Sequence, residues 1–365
     1  MKKALIIFIT VIFLSMPVYA ESITVFEEQG KNNYLPEGYV SEKIIEILEN
    51  NGYNASPQIE VSQLLKTVVN CIREAVISYA PLFTELLGII FIISIFSKII
   101  DNYIDIKIIH WVNILSLSCV IFNVFSSGTS NVVAVLKSSS ELLTAILPSF
   151  VSVTLLGGGT FSSASIAASF SAVLALLEIL LSDTVSVMVI GMGVFLVFEH
   201  ISPVLSDMNI TKSLKKYATI LLSLVTTLML TTLSFQNILS SRSDSLSART
   251  VKFAAANFIP IIGNAVGEAL RTMSSGVGYL KSTVGISSAI AIFVTVAPTL
   301  LQLIVIKLFM SFVSFLASAC SCVHEREYIT GCVNIIDFLL AIIICSFILS
   351  FFIVVAFISL TFEAS

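Results

Sequence analysis

Beyond Pro81 the chain carries seven apolar runs long enough to cross a bilayer, at residues 82–100, 109–126, 164–181, 184–201, 219–236, 286–306 and 333–358. A hydrocarbon core of about 30 Å takes ~20 helical residues to cross. At that depth every backbone N–H and C=O must find its partner within the protein, which leaves helices as the solution for separate runs of this kind. The pattern predicts an all-α polytopic membrane protein with about seven transmembrane helices. Charge density agrees: 12% of the 365 residues are Asp, Glu, Lys or Arg, against about a quarter in ordinary soluble domains, and the mean hydropathy is +1.01. With 19 basic against 23 acidic residues the net charge is -4, so there is no cationic surplus for a phosphate backbone and nucleic acid is excluded as a partner.

The N-terminus has a different character. Lys2 and Lys3 precede an apolar run from Ala4 to Leu14, and Val18 and Ala20 stand at the small-residue positions before a cleavage point. Residues 1–20 read as a secretory signal peptide. The rival, an uncleaved anchor, has a run too short for a bilayer. Residues 21–80 are richer in charge and in turn formers (Asn32, Asn33, Pro36, Gly38, Asn51, Gly52) and form a small extracytoplasmic helical segment. Within it Leu64, Leu65, Val68, Val69, Ile72 and Val76 recur at helical spacing, so an amphipathic helix leads up to Pro81 with an apolar stripe that needs a partner. Residues 81–365 are the polytopic domain.

Three stretches, near 139–157, 254–270 and 307–322, are ambiguous. The first two hold Pro148 and Pro260 in mid-run, with Gly157-Gly158-Gly159 and Gly263 close behind. Proline inside a helix removes a backbone donor and clashes with the preceding turn. Both stretches are therefore expected as Pro/Gly-broken segments, crossing or re-entrant, covered by protein or lining water. Their places correspond. From Leu82 the order is span, charged loop, span, Ser-rich stretch, broken segment, span, and it recurs from Thr184. This order suggests a duplication of 82–181 and 184–306, and paired interruptions in two halves point to a transport pathway. The positive-inside count is nearly the same whether the broken segments cross or re-enter.

Catalytic signatures are missing from the sequence. It has no G-x-x-x-x-G-K-[ST], H-E-x-x-H or G-x-S-x-G, and its three histidines, His110, His200 and His324, are far apart. No enzyme, cofactor or metal is implied, since Cys320, Cys322, His324 and Cys332 lack the spacing of structural zinc ligands. Among the intramembrane ionisable groups, Lys98 can snorkel, while Glu85, Glu199 and Lys307 sit near span ends. Glu178 and Asp337 have apolar residues on both sides. They are candidates for a polar pathway, the alternative being a buried helix-to-helix hydrogen bond.

The stretch Thr250 to Asn264, with Lys252, Asn257, Phe258-Ile259-Pro260 and Gly263, followed by Glu268, Thr272 and Val284-Gly285, resembles the hallmark segment of the stage III sporulation protein AE family. Leu147-Pro148 with Gly157-Gly158, the signal peptide and the order of spans are similar to that family as well. The resemblance covers nearly the whole chain, and its most specific part is Phe258 to Gly263 with Lys252. It implies a membrane-embedded subunit of the channel-like, secretion-related complex that links mother cell and forespore. In the mother-cell membrane around the forespore, its partners there would be a secretion-type ATPase, other polytopic proteins and ring-forming proteins. An independent secondary permease and a non-conducting scaffold are the alternatives.

Overall fold

A computed structural model describes residues 61–100, 106–181, 184–202, 209–258 and 263–359. The signal peptide, the turn-rich segment up to residue 60 and residues 259–262, with Pro260, lie outside the described residues. Those described form seven helices and no strand: α1 (Val61–Ile100), α2 (Ile106–Leu156), α3 (Thr160–Leu181), α4 (Thr184–Ile201), α5 (Ile210–Phe258), α6 (Gly263–Ala319) and α7 (Val323–Ser359). Six of them contain stretches long and apolar enough to cross a membrane, and Val185–Ile201 of α4 is a shorter apolar helix. The chain is an all-α, multi-pass membrane protein.

Several helices are longer than the apolar runs within them. The amphipathic helix before Pro81 and the first span are one helix, α1, so the expected division at residue 80 falls inside a continuous element. The segment expected to break at Pro148 does not break there: α2 runs unbroken for 51 residues with Pro148 inside it. Proline forfeits the bond to the Thr144 carbonyl, and Pro148 lies on the exposed face of α2. The interruption comes ten residues later, at Gly157-Gly158-Gly159. Residues 286–306 and 307–319 likewise merge, in the 57-residue α6, with Pro298 inside. At ~1.5 Å per residue α2, α5 and α6 measure on the order of 70–85 Å, roughly two and a half times a hydrocarbon core.

Contacts between named residues give the directions of the helices. The Ser118 hydroxyl meets that of Tyr328 and the ring of Phe150 stacks on Phe357, so α2 and α7 run in parallel. Lys215 pairs with Asp337 and the Asn237 amide donates to the Ala356 carbonyl, which makes α5 parallel to α7 too. By contrast His200 packs against Tyr328 and Leu196 lies over Gly331, so α4 is antiparallel to α7. So is α6, whose Lys307 reaches Asp337 and whose Gly285 lies under Ile358. α3 turns back along α2, placing Phe170 edge-on to Phe150.

Two consequences bear on the expected architecture. α3 and α4, expected as separate spans, run in the same direction and follow one another along α2; they are not a hairpin. α1 runs parallel to α6, with Phe83 stacked on Phe309 and the Ser94 hydroxyl donating to the Cys320 carbonyl; the triads α1–α2–α3 and α4–α5–α6 thus share one sequence of directions, with α2 and α5 of 51 and 49 residues, so a duplication here would relate parallel rather than inverted halves. The core lies among α2, α6 and α7, where Ile114, Leu117, Leu136, Phe150, Val284, Val313 and Phe357 are fully buried.

Candidate functional site

The first candidate is the interrupted segment at Gly157–Gly159. Gly158 adopts a φ of 81°, a left-handed conformation that a side chain would strain. The Gly157, Gly158 and Gly159 N–H groups bond to the carbonyls of Val153 (3.3 Å), Leu155 (2.9 Å) and Thr154 (3.0 Å), which closes the end of α2. The next helix has no acidic residue in its own first turn. The missing carboxylate comes from α5: Asp244 Oδ1 accepts from the Phe161 N–H at 2.9 Å and Oδ2 from the Ser162 N–H at 2.8 Å. Asp244 is only 4% exposed. Two of the orphan donors at the N-terminus of α3 are thereby satisfied by a charge favoured at that end of the helix dipole.

The second segment expected to be interrupted, with Pro260, falls outside the described residues; Phe258 is the last described residue of α5 and Gly263 the first of α6. Lys252 stands on the last turns of α5. The described helices α5 and α6 run in opposite directions along α7.

The second candidate surrounds Asp337. Lys215 of α5 donates to Asp337 Oδ2 at 3.0 Å and to Asn334 Oδ1 at 2.7 Å, and Lys307 Nζ of α6 lies 2.6 Å from Asp337 Oδ1. Asp337 is 12% exposed. The structure thus brings Asp337 together with two lysines that sequence reading left aside, Lys307 because it was placed at a span end. It does not bring Glu178 there; Glu178 is exposed on α3.

The third candidate gathers all three histidines around the N-terminal half-turns of α7. Glu325, 1% exposed in the first turn of that helix, accepts from the Asn113 amide at 2.9 Å, and its Oε1 lies 3.1 Å from His110 Nδ1. The His110 and His324 rings are 4.5 Å apart, and His200 meets Tyr328 edge-on at 5.4 Å. Among the described residues no three His, Cys, Asp or Glu converge as metal ligands. Next to Tyr328 a cleft of about 420 Å³ opens between α2, α4 and α7, with Ser118, Thr129, Ser130 and Ser186 on its walls. Glu199, also buried, caps α5 by accepting the Thr211 N–H at 2.6 Å.

Sequence reading missed Asp244, Glu199 and Glu325 as structural carboxylates. Their partners are backbone or side-chain groups from other helices, and a signal existed only for Asp244, the one carboxylate in the Ser-rich stretch 240–249.

Comparison with known proteins adds one finding. The model of a family described as stage III sporulation protein AE matches residues 43–361. No curated protein and no solved structure matches the chain.

Proposed function

The chain belongs to the stage III sporulation protein AE family, and from that premise we propose that it is a membrane-embedded, non-enzymatic subunit of the channel-like, secretion-related complex between mother cell and forespore. It would reside in the mother-cell membrane around the forespore and support forespore development after engulfment. A secretion-type ATPase would supply the energy, since this chain has no phosphate-binding loop, and other polytopic and ring-forming proteins would complete the path.

The observation that carries this reading is the family match across 319 consecutive residues, which include the whole helical body. The geometry at Asp337 favours it over an independent permease. A coupling carboxylate has to exchange its ion during the cycle, whereas Asp337 is held by two lysines at 3.0 and 2.6 Å.

The test compares spore counts and protein levels for Pro260→Leu and Gly263→Val with those for Glu178→Gln. The first two should accumulate in the membrane yet block sporulation after engulfment, because both positions lie in the Phe258 to Gly263 stretch that most specifically resembles the family. Glu178→Gln should sporulate normally. Normal sporulation by both backbone variants, together with failure of Glu178→Gln at wild-type protein level, would replace the export subunit with the permease.

A further inference from the structure

The ion cluster at Asp337 is unbalanced. Lys215 and Lys307 face a single carboxylate, and Lys212 and Lys216 stand exposed on the same first turns of α5. Among the described residues the other carboxylate at this end of α5, Glu199, accepts the Thr211 N–H. Four ammonium groups there face two described carboxylates. Each ammonium has three N–H donors; Lys215 directs two to Asp337 and Asn334, and Lys307 is ion-paired to Asp337 Oδ1. Donors remain on both for a further anion.

The cluster heads a slot. α5 and α6 both pack against α7 but have little contact with each other, which leaves a strip of α7 open between them. Helical spacing places Asp337, Ala341, Ile344, Ile348, Phe351 and Val355 on that strip. Its first four residues are half-buried, and Phe351 and Val355 are exposed by 37% and 42%. From Asp337 onward the strip is wholly apolar for eighteen residues, on the order of 27 Å, about the depth of the hydrocarbon region. Toward the other end it passes Asn334 and Thr330 to the exposed Arg326.

We propose that this slot seats one anionic phospholipid, with its phosphate on Lys215, Lys307 and the flanking Lys212 and Lys216, and an acyl chain along Ala341 to Val355. The combination of excess positive charge at one end and an uncovered apolar strip leading away from it matches an amphiphile with an anionic head. Neither a neutral lipid nor a free phosphate uses both halves. Asp337 holds the two half-buried ammonium groups in position, and the phosphate takes the donors it leaves.

The experiment uses the full chain, purified in detergent and reconstituted in nanodiscs of equal parts phosphatidylglycerol and phosphatidylcholine, with retained lipid counted by native mass spectrometry. The expected result is one tightly held phosphatidylglycerol that resists displacement by millimolar inorganic phosphate. Lys212→Gln/Lys216→Gln, at exposed positions, should keep the helical circular dichroism and melting temperature of the parent. Retention should fall about fivefold per lysine, in line with the free energy of one lysine near an anionic head group. Lys307→Gln should fall at least as far, and Lys307→Arg should retain binding. Equal retention of the two lipids, displacement by inorganic phosphate, or an unchanged preference in Lys212→Gln/Lys216→Gln would each overturn the proposal; the last variant decides the matter even if Lys307→Gln does not fold.

Discussion

Asp244 on α5 holds the N-terminus of α3 by accepting the backbone N–H groups of Phe161 and Ser162, one on each carboxylate oxygen, at 2.9 and 2.8 Å. A helix that starts directly after three glycines has no rigid approach of its own, so a distant, buried side chain determines where it begins. Asp244→Ala leaves a buried and a part-buried N–H group unmet and should cost about 1–3 kcal/mol. Asp244→Asn keeps one acceptor and should recover part of that. Thermal unfolding of the detergent-solubilised variants, followed by circular dichroism, checks the order wild type, Asn, Ala. Equal melting of all three would show that α3 is held by its apolar face alone.

The close approach of α6 to α7 at Gly285 makes a second prediction. A Cβ placed there would collide with Ile358, beside the Phe357 that stacks on Phe150. Gly285→Ala should therefore destabilise by overpacking, typically about 1–3 kcal/mol. Ile358→Ala in the same chain should return a large part of the loss, because the collision is with a side chain rather than backbone. Additive losses in the double variant would mean that Gly285 serves a different purpose.

The helices were legible because their signal is local: an apolar run of twenty residues announces itself wherever it occurs. The turn at Gly157–Gly159 was legible for the same reason. Continuity was harder to read, since Pro81, Pro148 and Pro298 are all carried inside helices. A proline costs a bond and a clash, and long flanking turns packed on neighbours outweigh both. Partnership was not readable at all. Nothing near Asp337 in the chain announces Lys215 or Lys307, which are 122 and 30 positions away. The histidines looked scattered because α2, α4 and α7 bring their ends together only in the folded bundle.

The shared direction of α3 and α4 can be measured directly. If the two helices follow one another along α2, spin labels at positions 160 and 201 are separated by the length of forty-odd helical residues, on the order of 60 Å. A hairpin of two adjacent spans would bring the same labels within about 20 Å. Pulsed electron–electron resonance on the doubly labelled protein in nanodiscs separates the two distances without ambiguity. The short distance would remove the reading of 160–201 as one passage along the bundle.

Asp337 supplies the last prediction, and its sign depends on what the carboxylate is for. In the structure it lies between Lys215 and Lys307, so Asp337→Asn leaves two half-buried ammonium groups facing one another across a neutral amide. Two like charges then lose their shared counterion, a destabilisation that their partial exposure keeps below the ~3–5 kcal/mol of a fully buried pair. The variant should accumulate poorly and sporulate poorly, and the two deficits should track each other. Removing a lysine as well, in Asp337→Asn/Lys307→Met, relieves the excess charge while keeping the length of the side chain, so protein level and spore count should rise together toward wild type. A carboxylate that binds a coupling ion behaves differently, since no loss of a neighbouring lysine restores a missing ion ligand. Protein levels and heat-resistant spore counts for the single and double variants, measured side by side, distinguish the two. A double variant that regains protein without regaining spores would assign Asp337 a part in transport, and recovery of both assigns it to holding α5, α6 and α7 together.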